Sequence, residues 1–404
     1  MIISIAWRNI WRNPMRSLVI IGSVMIGLWA GIFILAFFRG MTNEQINTTI
    51  SQQLSHVQVH HPRFREMDET EFTISKLPAL QIALENDKRV TAVSQRMILT
   101  SMASSPYTSS GVSLMGIEPL KENAVTGLSK RIKEGKYLDG QSASQLLMGN
   151  KLAVKLHLKI NSKVILTFQN TKGELTAAAF RIRGIYSAAN STLEENLVYV
   201  NRQEIDTLAF LNGQIHELAI LLTNNNDLEP VSQSLKDLKT GNKIETWKEL
   251  SPELRLMIDS FGQYMLIIIG VILVALVFGI INTMLMAVLE RYRELGVLMA
   301  IGLNKRKVFT MIMTETFFMT GLGCASGLPL ARLTIFLSSR NGINLSKYSE
   351  GLAMYGYGTR VYPQLESIYY WEVGALALIA GLIAAIYPAL KALQLNPSVA
   401  IRKI

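Results

Sequence analysis

The feature that most restricts this chain is the recurrence of long apolar runs without charge. Residues 18–38, 264–289 and 373–390 contain no Asp, Glu, Lys or Arg, and residues 308–330 are interrupted only by Glu315. About 20 such residues are what a helix needs to cross the hydrocarbon of a bilayer. Four transmembrane helices are therefore expected, and a chain that is 49% hydrophobic and only 17% charged fits partial solvation by lipid. The first run follows Arg8, Arg12 and Arg16 as a signal peptide would. It is too long for one, however, and ends in Ala36-Phe37-Phe38-Arg39 rather than in a small-residue cleavage site.

The formal charge of +10 raises the question of nucleic acid, and its placement answers it. Segments 1–17, 290–307 and 391–404 hold eleven Lys and Arg residues against Glu290 and Glu294, nearly the whole excess. All three fall on one side of a four-span topology, so the positive-inside bias accounts for the charge and puts both termini in the cytoplasm. No nucleic acid partner is needed. The expected plan is an amino-terminal helix at 1–17, spans at 18–39, 263–289, 308–336 and 371–390, and a large extracytoplasmic segment at 40–262. The link at 290–307 and the tail at 391–404 are cytoplasmic, and the loop at 337–370 is extracytoplasmic.

Within 40–262 the pattern shortens. Helical spacing at 42–54 and again from Trp247 to Phe261 predicts two stalks. Between them, strands are expected at 56–60, 90–102, 111–117, 163–168, 178–186, 197–200, 217–222 and 243–246, with helices at 77–86, 146–156, 202–208 and 228–238, the last capped by Asp227. The fold class expected is thus membrane α-helical, four transmembrane helices, plus an α+β extracytoplasmic domain inserted between helices 1 and 2. Tyr369, Tyr370 and Trp371 abut the fourth run as an interfacial aromatic belt would.

The most informative stretch is the link. In Glu290-Arg291-Tyr292-Arg293-Glu294-Leu295-Gly296-Val297-Leu298-Met299-Ala300-Ile301-Gly302, a helix would pair Glu290 with Arg293 and Arg291 with Glu294. Leu295, Val297, Leu298 and Ile301 would remain for an apolar surface, suited to a groove on a cytosolic partner.

This run resembles the coupling-helix signature of FtsX-like ABC permeases, E-R-x-R-E-x-G-x-L-x-A-I-G, at every fixed position. That family includes the lipoprotein-releasing (LolC/LolE-type) permeases, which are the nearest in outline, and MacB-type permeases. Residues 6–14 resemble its amino-terminal helix, 387–402 its closing segment, and 135–138, 147–158 and 181–186 its porter domain, with 246–250 as the exit. The resemblance implies that Glu290, Arg291, Arg293, Glu294, Gly296, Leu298, Ala300 and Gly302 couple the chain to a cytosolic ABC ATPase dimer. It implies a second permease, as a homodimer or a paralogous heterodimer, in a bacterial cytoplasmic (inner) membrane, with membrane lipid and a lipoprotein or other periplasmic partner in contact. No G-x-x-x-x-G-K-[ST] loop is present, so no cofactor is expected on this chain, and ATP and Mg belong to the partner ATPase. Extraction of lipoproteins or other amphipathic molecules by mechanotransmission is the leading expectation. Small-molecule or peptide efflux, and mechanical regulation of a cell-wall hydrolase without transport, are the alternatives. The connection at 169–177 is too short to be the long hook with which some lipoprotein-releasing permeases hold a chaperone.

Other conspicuous residues carry bland expectations. His60 and His61 face opposite sides of a strand, and His56 and His60 lie about 13 Å apart along it, too far to share a metal ion. No nucleophile or metal constellation supports an enzyme. Cys324, the only cysteine, is expected in packing. Glu315, an ionisable group within a span, is expected to hydrogen-bond a neighbouring helix near the cytoplasmic end. Gly321, Gly323 and Gly327 predict close helix packing.

Overall fold

The computed structural model describes residues 2–394 apart from Asp68, Gln141, Ser142, Ile301 and Tyr355, with backbone alone for Ile2, Ala300 and Glu350. Of the expected closing segment at 387–402, residues 395–402 lie outside the described residues. The chain packs as two units: one holds residues up to Thr42, Ile258–Asn344 and those from Arg360 onward, the other Asn43–Met257 together with Leu345–Thr359.

The first unit is helical. Among the described residues, four helices are long and apolar enough to cross a membrane: Pro14–Leu54, Pro252–Glu290, Lys305–Asn341 and Ser367–Leu393. Each overruns its apolar window, because polar residues continue the helix at both ends. An amphipathic helix, Ile2–Arg12, precedes the first and buries Ala6 and Ile10, one turn apart. Pro14 cannot continue a helix but is well placed to start one, and the break falls at Asn13. Ser17 seals it by donating from Oγ to the Ile10 carbonyl at 2.8 Å. The glycines of the third helix do permit close approach: a Cβ on Gly323 would meet Val24 at 2.6 Å, and one on Gly327 the Met25 carbonyl at 2.9 Å. Gly321 faces open space and takes no part. Cys324 is buried, its Sγ 3.9 Å from the Gly374 carbonyl.

The second unit is α+β. Its strands are β1 (Val57–His60), β2 (Val90–Ser104), β3 (Ser109–Ile117), β4 (Ile132–Gly135), β5 (Gln145–Gly149), β6 (Lys163–Gln169), β7 (Leu175–Tyr186), β8 (Leu197–Asn201), β9 (Glu217–Leu222) and β10 (Lys243–Thr246). They form one sheet in the order β10-β1-β9-β2-β3-β8-β5-β7-β4, and β6 bridges β7 back to β2. Pairing therefore runs in a closed circuit from β2 through β3, β8, β5, β7 and β6 to β2 again. The length of β2 makes this possible, since Val90–Arg96 pairs with β9 and Ser101–Ser104 with β6. Along it Leu99, Ser101 and Ala103 point inward while Thr100 and Met102 face out, the period of two that a sheet with one buried face requires.

Several expectations need correction. Residues 145–149 form β5, and the helix expected over 146–156 begins only at Asn150. Leu146-Leu147-Met148 is buried between β7 and β8, and a short apolar run of this kind does not declare its period. Strand β4 and the helices Pro119–Thr126 and Ser191–Asn196 were not expected at all. Asp227 precedes the helix Leu228–Asp237 but makes no side-chain cap bond. His60 has a carboxylate partner, Nε2 lying 2.6 Å from Glu245, while His56 Nδ1 accepts the Leu222 N–H at 3.1 Å.

A fully buried Arg96 holds this unit together. It donates to Glu122 at 2.8 and 3.0 Å, to Glu217 at 2.7 Å, and to the Gln53 carbonyl at 3.2 Å. Nearby, burial pushes the Tyr199 phenol up to about 12, with the Arg131 charge working against the shift.

Candidate site: an ion-pair network at the 290–307 link

The second helix ends at Glu290, Arg291 makes the turn, and Tyr292–Ala300 forms a separate short helix. Its end is set by Gly302 at φ +104°, where Leu303 N–H donates to the Leu298 carbonyl and Gly302 N–H to that of Met299, a Schellman closure. Asn304 then caps the third helix, its side chain accepting the Arg306 N–H at 3.2 Å.

This punctuation decides where the charges go. On one continuous helix Glu290 would face Arg293, as the sequence led us to expect. Across the break Glu290 instead accepts from Arg16 at 3.2 Å, and Arg293 is exposed without an ion pair among the described residues. Arg291 Nε stays 3.8 Å from Glu294, while its Nη1 donates to Glu315 at 3.1 and 3.4 Å. Glu294 also accepts from Arg12. Arg16 reaches Glu315 at 4.0 Å, and the Asn9 side chain hydrogen-bonds the same carboxylate.

Burial ranks these contacts. Arg291 and Glu315 have side chains only 10% and 5% exposed, so neither charge has water to fall back on. Arg12 and Glu294, at 57% and 46%, form a surface pair of small energetic weight. The 290–307 link is thus fastened through one buried pair and two peripheral ones to the amino-terminal segment and the third helix. Trp7 adds an edge-on contact with Phe318, ring centroids 5.5 Å apart.

The remaining candidate residues divide by face. Leu295 and Gly296 are buried, and Met299 packs on the helical core. Val297 and Leu298 stay 40% and 36% exposed and form, with Arg293 and Glu294, the outward face. Ile301 lies outside the described residues, as does the side chain of Ala300. Sequence reasoning missed Asn9, Arg12 and Arg16 as members of the network, having read the two arginines only as a charge bias. Their signal was available in the four-residue spacing of Arg12 and Arg16 opposite the only two acidic residues of the basic segments.

Residues 17–238 match the MacB-like periplasmic core domain, and residues 266–397 match the FtsX-like permease C-terminal region. An uncharacterized ABC transporter permease of Methanocaldococcus jannaschii is 24% identical over 279 residues, covering 66% of this chain and 64% of that protein, a little under two thirds of its length. The lipoprotein-releasing system transmembrane protein LolC of Neisseria meningitidis is 22% identical over 412 aligned positions, covering 97% of this chain and 95% of the relative. The periplasmic region of MacB from Actinobacillus actinomycetemcomitans superposes with a TM-score of 0.37 at 15% identity, over 53% of this chain and 97% of that one, too low a score to carry structural inference. The two matched regions reach from residue 17 to residue 397, and the chain belongs to the FtsX-like ABC transporter permease family, with a MacB-like periplasmic core domain in its first half.

Proposed function

We propose that this ABC permease subunit releases or exports lipoproteins or other amphipathic envelope molecules, driven by a separate ATPase that grips the link helix. In this reading the chain crosses the cytoplasmic membrane several times with both termini in the cytoplasm. ATP and Mg sit on the ATPase dimer, and a second permease completes the transporter. The observation that carries the proposal is the division of the link helix into two faces. Its inner face buries Leu295 and Gly296, with Arg291 just ahead of it tied through Glu315 to the third helix, and its outer face leaves Val297 and Leu298 free to enter a groove on a motor subunit. A push on such a helix passes to the third helix through the buried Arg291–Glu315 pair and to the amino-terminal segment through Arg12 and Arg16. Similarity to LolC along 95% of that relative favours lipoproteins as cargo.

The test uses Glu294→Lys and Val297→Asp, both on the outward face. The Arg12–Glu294 pair is exposed, so folding should be unaffected. Loss of one interface anchor should lower ATP-driven substrate release by about tenfold. Undiminished release in both variants would refute the assignment of this face to the motor.

A second reading, export of a small molecule or peptide, is favoured by the MacB-like match over 17–238 and by the tight turn joining β6 and β7, where Asn170 N–H donates to the Glu174 carbonyl at 2.9 Å. In nanodiscs containing the permease and its ATPase, a lipoprotein should stimulate hydrolysis under the first reading and a drug under the second.

A further inference from the structure

Beyond Glu315 the third helix carries Arg332 and Arg340 toward its other end. Arg332 is exposed on the helical unit and forms no ion pair among the described residues. Beside it the third and fourth helices enclose an open groove of about 450 Å³, lined by Leu328, Pro329, Arg332, Ser367, Tyr370 and Trp371 among others, and almost wholly apolar apart from the arginine. An unpaired cation on the lipid-facing side of a span is unfavourable unless its long side chain reaches the headgroup region. Tyr and Trp settle at that same depth. Ser367, which lines the groove, is the first residue of the Ser367–Leu393 helix, and the positive end of that helix dipole adds to the potential there. The carboxylate just ahead of it, Glu366, is held by Arg39 at 3.4 Å.

We propose that this groove is a binding site for a single glycerophospholipid. The phosphate sits on the Arg332 guanidinium and the Ser367 hydroxyl, Tyr370 and Trp371 flank the glycerol, and one acyl chain lies against Leu328 and Pro329. The volume suits one ligand-sized apolar body. The charge selects a phosphate-bearing lipid over a transmembrane helix, which would leave the guanidinium unpaired unless it brought a carboxylate of its own. The site is remote in sequence from the link, and it rests on the lipid embedding of the helical unit rather than on the motor reading above.

Native mass spectrometry of the full-length chain with added phosphatidylglycerol tests the proposal. The wild type should retain one phospholipid per chain through delipidation. Arg332→Gln should lower that affinity by about tenfold, the loss of one charge-assisted contact. Ala325→Trp, at an exposed groove position, should do the same by filling the floor without touching the core. Arg340→Gln should behave as wild type, because that guanidinium lies over the Phe336 ring and lines no part of the groove. Wild-type retention by Arg332→Gln, an equal loss in Arg340→Gln, or binding of inorganic phosphate as tight as that of the lipid would each overturn the assignment.

Discussion

At the scale of single residues, the Arg291–Glu315 pair has the most to lose. Two charges removed from water hold each other at 3.1 Å, and truncating Glu315 leaves the buried Arg291 with only the half-exposed Glu294, 3.8 Å away. Glu315→Ala should destabilise the helical unit by about 3 kcal/mol, read as a lower Tm of the full-length chain in detergent. The Arg291→Met, Glu315→Leu double variant should recover most of that loss, giving a coupling energy of at least about 1 kcal/mol. Equal melting of Glu315→Ala and wild type would show that Arg16 and Asn9 merely compete for a carboxylate nothing needs. Glu315 could be singled out in the sequence because an acid inside an apolar run is rare. Its partner could not, since Arg291 looked like one of several cations in a charged link, and only the break after Glu290 turns it inward.

At the scale of elements, the link helix depends on how it is stopped. Gly302 sits at φ +104°, where a side chain is strained by about 1 kcal/mol or more, and the two closing hydrogen bonds require that conformation. Gly302→Ala should therefore fray the helix Tyr292–Ala300. Amide exchange followed by mass spectrometry should show faster exchange over 292–300 with the third helix unchanged. Unaltered protection of the link would mean that its ion pairs, not its terminus, hold it. A helix here was expected from its charges and apolar residues, but the break after Glu290 was not, and the expected Glu290–Arg293 pairing fails with it. Strand β5 was not expected, because Leu146-Leu147-Met148 is buried by neighbours from distant parts of the chain, and a run that short fits a helix equally well.

At the scale of the whole molecule, the four long helices were legible because a bilayer demands a length and composition that little else does. The closed strand circuit was not, since β2 shares itself between β9 and β6, a pairing choice that no local pattern encodes. Nor was the fate of the loop before the fourth helix: Leu345–Thr359 packs with the α+β unit. There Leu345 N–H donates to the Thr359 carbonyl at 2.8 Å, Tyr357 Oη lies 3.9 Å from Met257 Sδ, and a Cβ on Gly358 would meet Glu44 Oε1 at 2.9 Å. A Cβ built on Gly356 falls 4.0 Å from that of Asn190, within the separation a disulfide spans. Asn190→Cys with Gly356→Cys should accordingly cross-link in the intact chain under mild oxidation, despite about 1 kcal/mol of strain from a side chain at φ +73°. Maleimide labelling after denaturation should then find only the native Cys324, and reductant should restore both new thiols. Full labelling after oxidation would mean that the loop does not rest on this unit.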